Sequence, residues 1–320
     1  VYRVGEQIRF ALVNVVGVGR KFYVQGDTGV DITNTGLSEE EATKSIQNAV
    51  DKSAAGDTIV VIPRKPSAGA SDPVSYAETV IIPATKPGLT IVGVNRGRTQ
   101  GGLPQIKIGA GAVPMITIRA PGCLIAYIGI NGAGSTGGGI LLEDDAATKS
   151  AFGTTIASCH FKNCAGTDPL DAATGGAIMW GTNGGAWQTL IYGNRFFKNV
   201  GDIVLIGTGT SIPQDVIIEK NIFGGPAASV DCNIYLAGGS GMLGPIIIDN
   251  YFTALPAIGS AVNHVFMDLT GCVGGIVAHN KFADTTTATG YGAAKAKAKI
   301  PTTVFMIDNY NESGLITREA

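Results

Sequence analysis

Charge is what this sequence has least of. Only 15% of its residues are Asp, Glu, Lys or Arg, against ~25% in an ordinary soluble domain. The formal balance is −2 and there is no long basic run, so a nucleic-acid partner is not expected. Lys295, Lys297 and Lys299 alternate with Ala, the pattern of a polar strand edge or a small basic patch. The three histidines, at 160, 264 and 279, are too far apart for a metal-ligand motif. Glycine runs such as Gly137–Gly139 lack the strand–turn–helix context of a dinucleotide site. No metal and no cofactor is therefore expected. The five cysteines are odd in number and contain no C-x-x-C, which predicts buried thiols, not a disulfide framework. No apolar run approaches 18 residues, so no membrane span is expected. Val1–Gly19 carries Arg3, Glu6 and Arg9 among its apolar residues, unlike a signal peptide. The chain does not begin with Met, which leaves a removed leader open.

What is abundant is glycine, 46 of 320 residues, set in a chain that is 45% hydrophobic. Ample Val, Ile and Leu with little charge excludes disorder, and the lack of a Gly-X-Y period excludes collagen. Residues 1–20 read as an arm and residues 21–320 as one domain. Phe22-Tyr23-Val24 is a strand signal. Ser38 and Glu41 have the spacing of a capping box, and Ala42, Ile46, Ala49 and Val50 follow at helical spacing. This predicts a helix over about 38–55, ended by Gly56. Thr58–Ile62, Glu78–Ile82 and Leu89–Gly93 then read as strands, with no further helix. That order excludes a doubly wound α/β sheet.

From about residue 57 to 310 the chain repeats itself. The form apolar-apolar-x-x-Asn-x-Phe appears at Leu190–Phe196, Ile217–Phe223 and Ile276–Phe282. Ile247–Phe252 carries it too, and Thr155–Phe161 has Cys159 in place of Asn. Leu124–Ile130 is a weaker copy. A second strand lies between copies, as in Ile140–Leu142, Ile178–Trp180 and Ile203–Ile206. A unit of about thirty residues with short strands and no helix cannot bury its apolar face alone, so the units must coil into a solenoid. Asn194, Asn221, Asn250 and Asn280 then stack at ~4.8 Å as a hydrogen-bonded ladder. Phe161, Phe196, Phe223, Phe252 and Phe282 form a second stack beside it. Val304–Asn309 fits either strand class.

These features resemble the pectate-lyase-like right-handed parallel β-helix superfamily. The resemblance rests on Phe22-Tyr23-Val24, Gly26-Asp27, Gly36-Leu37-Ser38, Ile46–Val50 and Gly56-Asp57-Thr58-Ile59, and it covers about residues 21–310. It implies an all-β coil with an amino-terminal helical cap. The superfamily includes polysaccharide lyases and hydrolases, adhesins, phage tailspikes and phage head proteins. The resemblance places any enzyme site on the outside of the coil.

On that outside, the residue before each ladder Asn reads Ser158, Gly193, Lys220, Asp249, His279 and Asp308. The residue after reads His160, Arg195, Ile222, Tyr251, Lys281 and Tyr310. Asp249, His279 and Asp308 are the candidate acids and proton shuttle of a glycan-cleaving site. The alternative is a solvated charge ladder. Two rungs would separate the acids by ~10 Å, beyond the ~6.5–9.5 Å of an inverting glycosidase. Trp180, Trp187 and Tyr192 are candidate sugar-stacking rings, or loop packing. Glu143-Asp144-Asp145 is a solvated turn or a weak cation site.

Three classes of function compete: a structural protein of a virus particle, a glycan-binding or glycan-degrading spike, and a bacterial adhesin. The absence of a visible secretion signal favours a phage protein released by lysis. Sparse charge favours association of several coils, with a homotrimer expected. The reading is a non-enzymatic protein of the virion surface. A capsid decoration or cement role stands ahead of a tailspike. Attachment to a capsid or tail protein would run through Val1–Gly19, and a surface glycan is an optional partner.

Overall fold

A computed structural model describes residues 19–70, 72–94, 102–109, 111–143, 151–168, 171–181, 185–207, 212–224, 232–253, 265–282, 300–311 and 314–316. Residues 1–18 of the arm, Asp144, Asp145, His264 and the lysines at 295, 297 and 299 lie outside them.

Each turn of the chain contributes a strand to up to three sheets. One turn runs Leu190–Tyr192, Arg195–Phe197 and Ile203–Leu205 before Ile217–Glu219 starts the next. The first sheet has ten strands, from Lys21–Gln25 through Thr58–Ile62 to Phe305–Ile307. The second has nine and the third seven. Pairing is parallel between successive turns. The one exception among the described strands is a closing hairpin of Asn309–Asn311 with Gly314–Ile316. The fold is a right-handed parallel β-helix. The seven-residue repeat seen in the sequence is thus two strands and the corner between them. Val304–Asn309 divides the same way, with Phe305–Ile307 in the first sheet and Asn309 opening a strand of the second.

Register puts like over like. In the first sheet Ile125, Ile156, Ile191, Ile218, Ile247 and Val277 align and are fully buried. In the second, Ile106 and Ile130 give way to Phe161, Phe196, Phe223, Phe252 and Phe282. Neighbouring rings lie 4.5–5.1 Å apart and within 17° of parallel. β-branched and aromatic residues suit this pleated, stacked surface. All five cysteines are buried as thiols.

The cap departs from expectation. The helix runs Ile46–Lys52, not 38–55, and its N-cap is Ser45, whose side chain accepts from the Asn48 N–H. Ser38 does accept from the Glu41 N–H at 3.2 Å, but within a turn. The reason is backbone competition. Thr43 donates to the Tyr23 carbonyl and accepts from the Gln25 N–H, so the chain there is committed to the sheet edge. The helix can begin only after that bridge. Glu78, read as strand from the sequence, takes the N–H groups of Ile46 and Gln47 at 2.8 Å each. Burial raises its pKa against those bonds, and a carboxylate suits the positive end of the helix. At the other end the Lys86 ammonium donates to the carbonyls of Val50, Asp51 and Ser53.

Candidate functional site

The corner between the first two sheets holds the Asn ladder. The Asn221 N–H and Nδ2 both donate to Asn250 Oδ1, at 2.9 and 3.0 Å, and Nδ2 also reaches the Ile191 carbonyl at 2.9 Å. Asn194, Asn250 and Asn280 repeat the pattern. Asn309 continues it in the last turn, with Nδ2 on the Val277 carbonyl. At the top the Cys159 N–H donates to Asn194 Oδ1, and the thiol turns to the Ile125 carbonyl.

The residue before each ladder position is in the left-handed region. Ser158, Lys220, Asp249, His279 and Asp308 have φ between 46° and 56°, and Gly193 has 62°. The candidate acids therefore stand on a corner ridge and not on the flat sheet face that strand alternation suggests. His279 Nδ1 lies 3.6 Å from Asp249 Oδ1, both about half exposed. Asp308 follows one turn after His279. Lys220 pairs with Glu219 at 2.8 Å instead of with Asp249, and its ammonium covers the Tyr192 ring. On the second sheet's side of the ridge stand Tyr251, Lys281 and Tyr310, with Lys281 over the Tyr251 ring at 5.6 Å. This ridge can hydrogen-bond and stack on a ligand.

The three candidate sugar-stacking rings do not form a cluster. Trp180 is fully buried in the third sheet, and its Nε1 donates to the Ala186 carbonyl. Tyr192 is buried in the first sheet. Trp180 occupies an inward register position and fills the coil, so it is unavailable to a sugar. Trp187 alone is exposed, with Nε1 on the Ile212 carbonyl. Glu143 is half-buried and paired with Arg119 at 2.7 Å.

Two polar clusters escaped the sequence reading. The first sits outside the second sheet, beneath the excursion that follows Ile62. Lys162 is nearly buried and bonds Asp72 at 2.8 Å across ninety residues of chain. Gln105 Oε1 accepts from Ser75 and Asn131. His160 lies among these groups, its pKa pushed down to about 4 by burial and by Lys162 and Arg195, so its imidazole is neutral at neutral pH. The cluster straps the excursion to the coil.

The second is Asp202, fully buried, with Asn199 donating at 2.8 Å and Asn233 at 2.6 Å. Burial outweighs those amides and raises its pKa to about 7. An unfolded aspartate releases its proton near pH 4, whereas the folded one holds it until about 7. The folded state binds the extra proton between these values, so stability falls as pH rises from 4 to 7 and levels above. The expected slope is on the order of 1 kcal/mol per pH unit. Chemical denaturation of Asp202→Asn should lose this slope relative to the parent; an unchanged slope would remove Asp202 from the account.

The third feature is apolar. The outward positions of the first sheet's last five strands are Leu190/Tyr192, Ile217/Glu219, Ile246/Ile248, Ile276/Ala278 and Phe305/Ile307. Nine of these ten positions are apolar or aromatic, and of these Tyr192 and Ala278 are already covered within the chain. Phe305 is 68% exposed, and Leu243 and Val273 extend the patch into the preceding turn.

No protein-family model matches the chain, and no curated protein matches it. Solved structures do resemble it. A GH136 lacto-N-biosidase from Eubacterium ramulus aligns with TM-score 0.54 at 9% identity, over 97% of this chain and 57% of that one. Escherichia coli ybhc aligns with TM-score 0.51 at 11% identity, over 93% and 86%. ORF18 of Geobacillus virus E2 aligns with TM-score 0.46 at 11% identity, over 87% and 55%. At these identities the likeness is one of fold, and the chain spans a little over half the length of the lacto-N-biosidase. Among the described residues no helix is long and apolar enough to cross a membrane.

Proposed function

We propose that this chain is a non-enzymatic structural protein of a virus particle's surface, acting as a capsid decoration or cement protein. The carrying observation is the apolar outer face of the first sheet. Monomeric proteins rarely leave a contiguous patch above a few hundred Å² uncovered, and a surface of this kind suits permanent assembly. The stacked ladders support the same reading, since they make a stiff rod. In this reading three copies associate side by side, and Val1–Gly19 attaches the assembly to a capsid or tail protein.

A second reading, a glycan-binding or depolymerising spike, draws on the Asp249–His279 contact beside Tyr251 and Tyr310. Reducing-end release from a panel of linear polysaccharides separates the two. The structural reading expects no release above the blank, with the parent and Asp249→Ala indistinguishable. Turnover by the parent that falls at least a hundredfold in Asp249→Ala would overturn it.

A further inference from the structure

The outer face of the second sheet carries a covered patch of polar side chains. Gln105, Asn131, His160 and Lys162 take outward positions, since Ile106, Ile130 and Phe161 beside them point into the coil. All four are buried nonetheless. The excursion after Ile62 lies over them. Ser75 Oγ donates to Gln105 Oε1 at 2.9 Å, and the Lys162 ammonium donates to Asp72 Oδ2 at 2.8 Å. A cover with only a structural task would be expected to sit on apolar side chains, because each polar group taken from water needs a partner.

The cover is built as a strap. At one end Arg64 and the Lys65 N–H donate to Asp27 at 3.0 and 2.7 Å. At the other the buried Tyr76 hydroxyl donates to the Ile62 carbonyl at 2.6 Å. Between these ends Pro66 and Pro73 meet in an antiparallel bridge, and residues 65–70 are exposed. Lys162 lies three turns on from Tyr76, ~14 Å along the coil. One ion pair therefore closes the strap far from its base. Asp72 fills its place by half, because its Oδ1 is buried with no hydrogen-bond partner. Just beyond the cover stands Arg195, exposed and opposite His160 on the next turn. Burial, then the charges of Lys162 and Arg195, push the His160 pKa down to about 4. Both cations thus act on one spot, where a neutral ring can donate an N–H.

We propose that this patch is a binding site for a small carboxylate ligand, and that Asp72 holds the ligand's place while the strap is closed. The ligand's carboxylate takes the Lys162 ammonium in exchange for Asp72. Its second oxygen takes a donor that Asp72 leaves unused, the His160 ring or the Arg195 guanidinium, whose fork suits a carboxylate. The site is on a different sheet from the apolar face and three turns from Asp249, so it stands or falls independently of the assembly reading.

The test is calorimetric titration of the full chain with acetate, succinate and inorganic phosphate at constant ionic strength. Each is taken to about 50 mM, a range that brackets millimolar affinity. A tethered carboxylate competes at a millimolar or higher effective concentration, so Asp72→Ala should bind acetate or succinate about tenfold or more tightly than the parent. If Asp72→Ala fails to fold, Asp72→Asn removes the charge within the same shape. In that background Lys162→Met should abolish binding. Arg195→Gln should weaken it about threefold or more with the melting temperature unchanged, and this exposed position keeps the test decisive if Lys162→Met fails to fold. A folded Asp72 variant that binds neither carboxylate, or binds no better than the parent, overturns the proposal and leaves the ion pair a structural latch. Binding indifferent to both cations overturns it too, and binding of phosphate alone overturns the carboxylate assignment.

Discussion

Asn250→Leu should destabilise the coil by about 4 kcal/mol, although leucine is apolar, of similar size and set in an interior. The side chain of Asn250 answers four groups. Its Oδ1 accepts from the N–H and Nδ2 of Asn221, and its Nδ2 donates to the Ile218 carbonyl and to Asn280 Oδ1. Leucine leaves the Asn221 N–H buried with no partner, and the Ile218 carbonyl keeps only its bond within the parallel sheet. The orphan costs ~1–3 kcal/mol and each lost bond ~0.5–1.5 kcal/mol more, and water has no route to a residue this deeply buried. Asn221 and Asn280 also lose one bond each but keep others, a smaller loss. Chemical denaturation reads the difference directly. Unchanged stability would mean that the ladder is incidental to the fold.

Phe252→Ala should cost about as much or more, ~4–5 kcal/mol. Removing a buried phenylalanine costs ~3–5 kcal/mol in lost transfer energy and cavity. Phe252 sits mid-stack, 4.5 Å from Phe223 and 4.8 Å from Phe282, with Phe266 tilted against it at 5.5 Å. Each ring pair adds ~0.5–1.5 kcal/mol beyond area burial. Neighbouring turns are tied by the Asn ladder, so the cavity cannot collapse easily. Phe161→Ala, at the end of the stack with one ring neighbour, should cost measurably less. Equal losses at both positions would show that stacking contributes nothing beyond burial.

The sequence discloses features that recur and hides those that occur once. Asn and Phe two residues apart, returning about every thirty residues, can only be a stacked interior, and the strands on either side follow from them. The corner was illegible because left-handed backbone is ordinarily marked by Gly or Asn. Here Lys220, Asp249 and His279 adopt it, held by the hydrogen-bonded Asn that follows each. Their identity suggested a chemical site; their conformation makes them a ridge. The helix start was misread because Ser38 and Glu41 satisfy a local rule while Thr43 is taken by Tyr23 and Gln25, which lie far back in the chain. Trp180 reads either way in the sequence, as a sugar-stacking ring or as loop packing, and only register, which turns it inward, decides for packing. The Lys162–Asp72 pair joins residues ninety positions apart, and nothing in the local pattern marks it. The apolar outer face could be seen only after register was known, since the same Ile-Ile pairs put one residue in the core and the next outside.

The central claim, that this chain coats a virus particle, is tested most directly by its copy number in gradient-purified particles. Quantitative mass spectrometry against the major shell protein measures it. A decoration or cement protein predicts an amount of the same order as the shell protein. Absence from purified particles would contradict the claim.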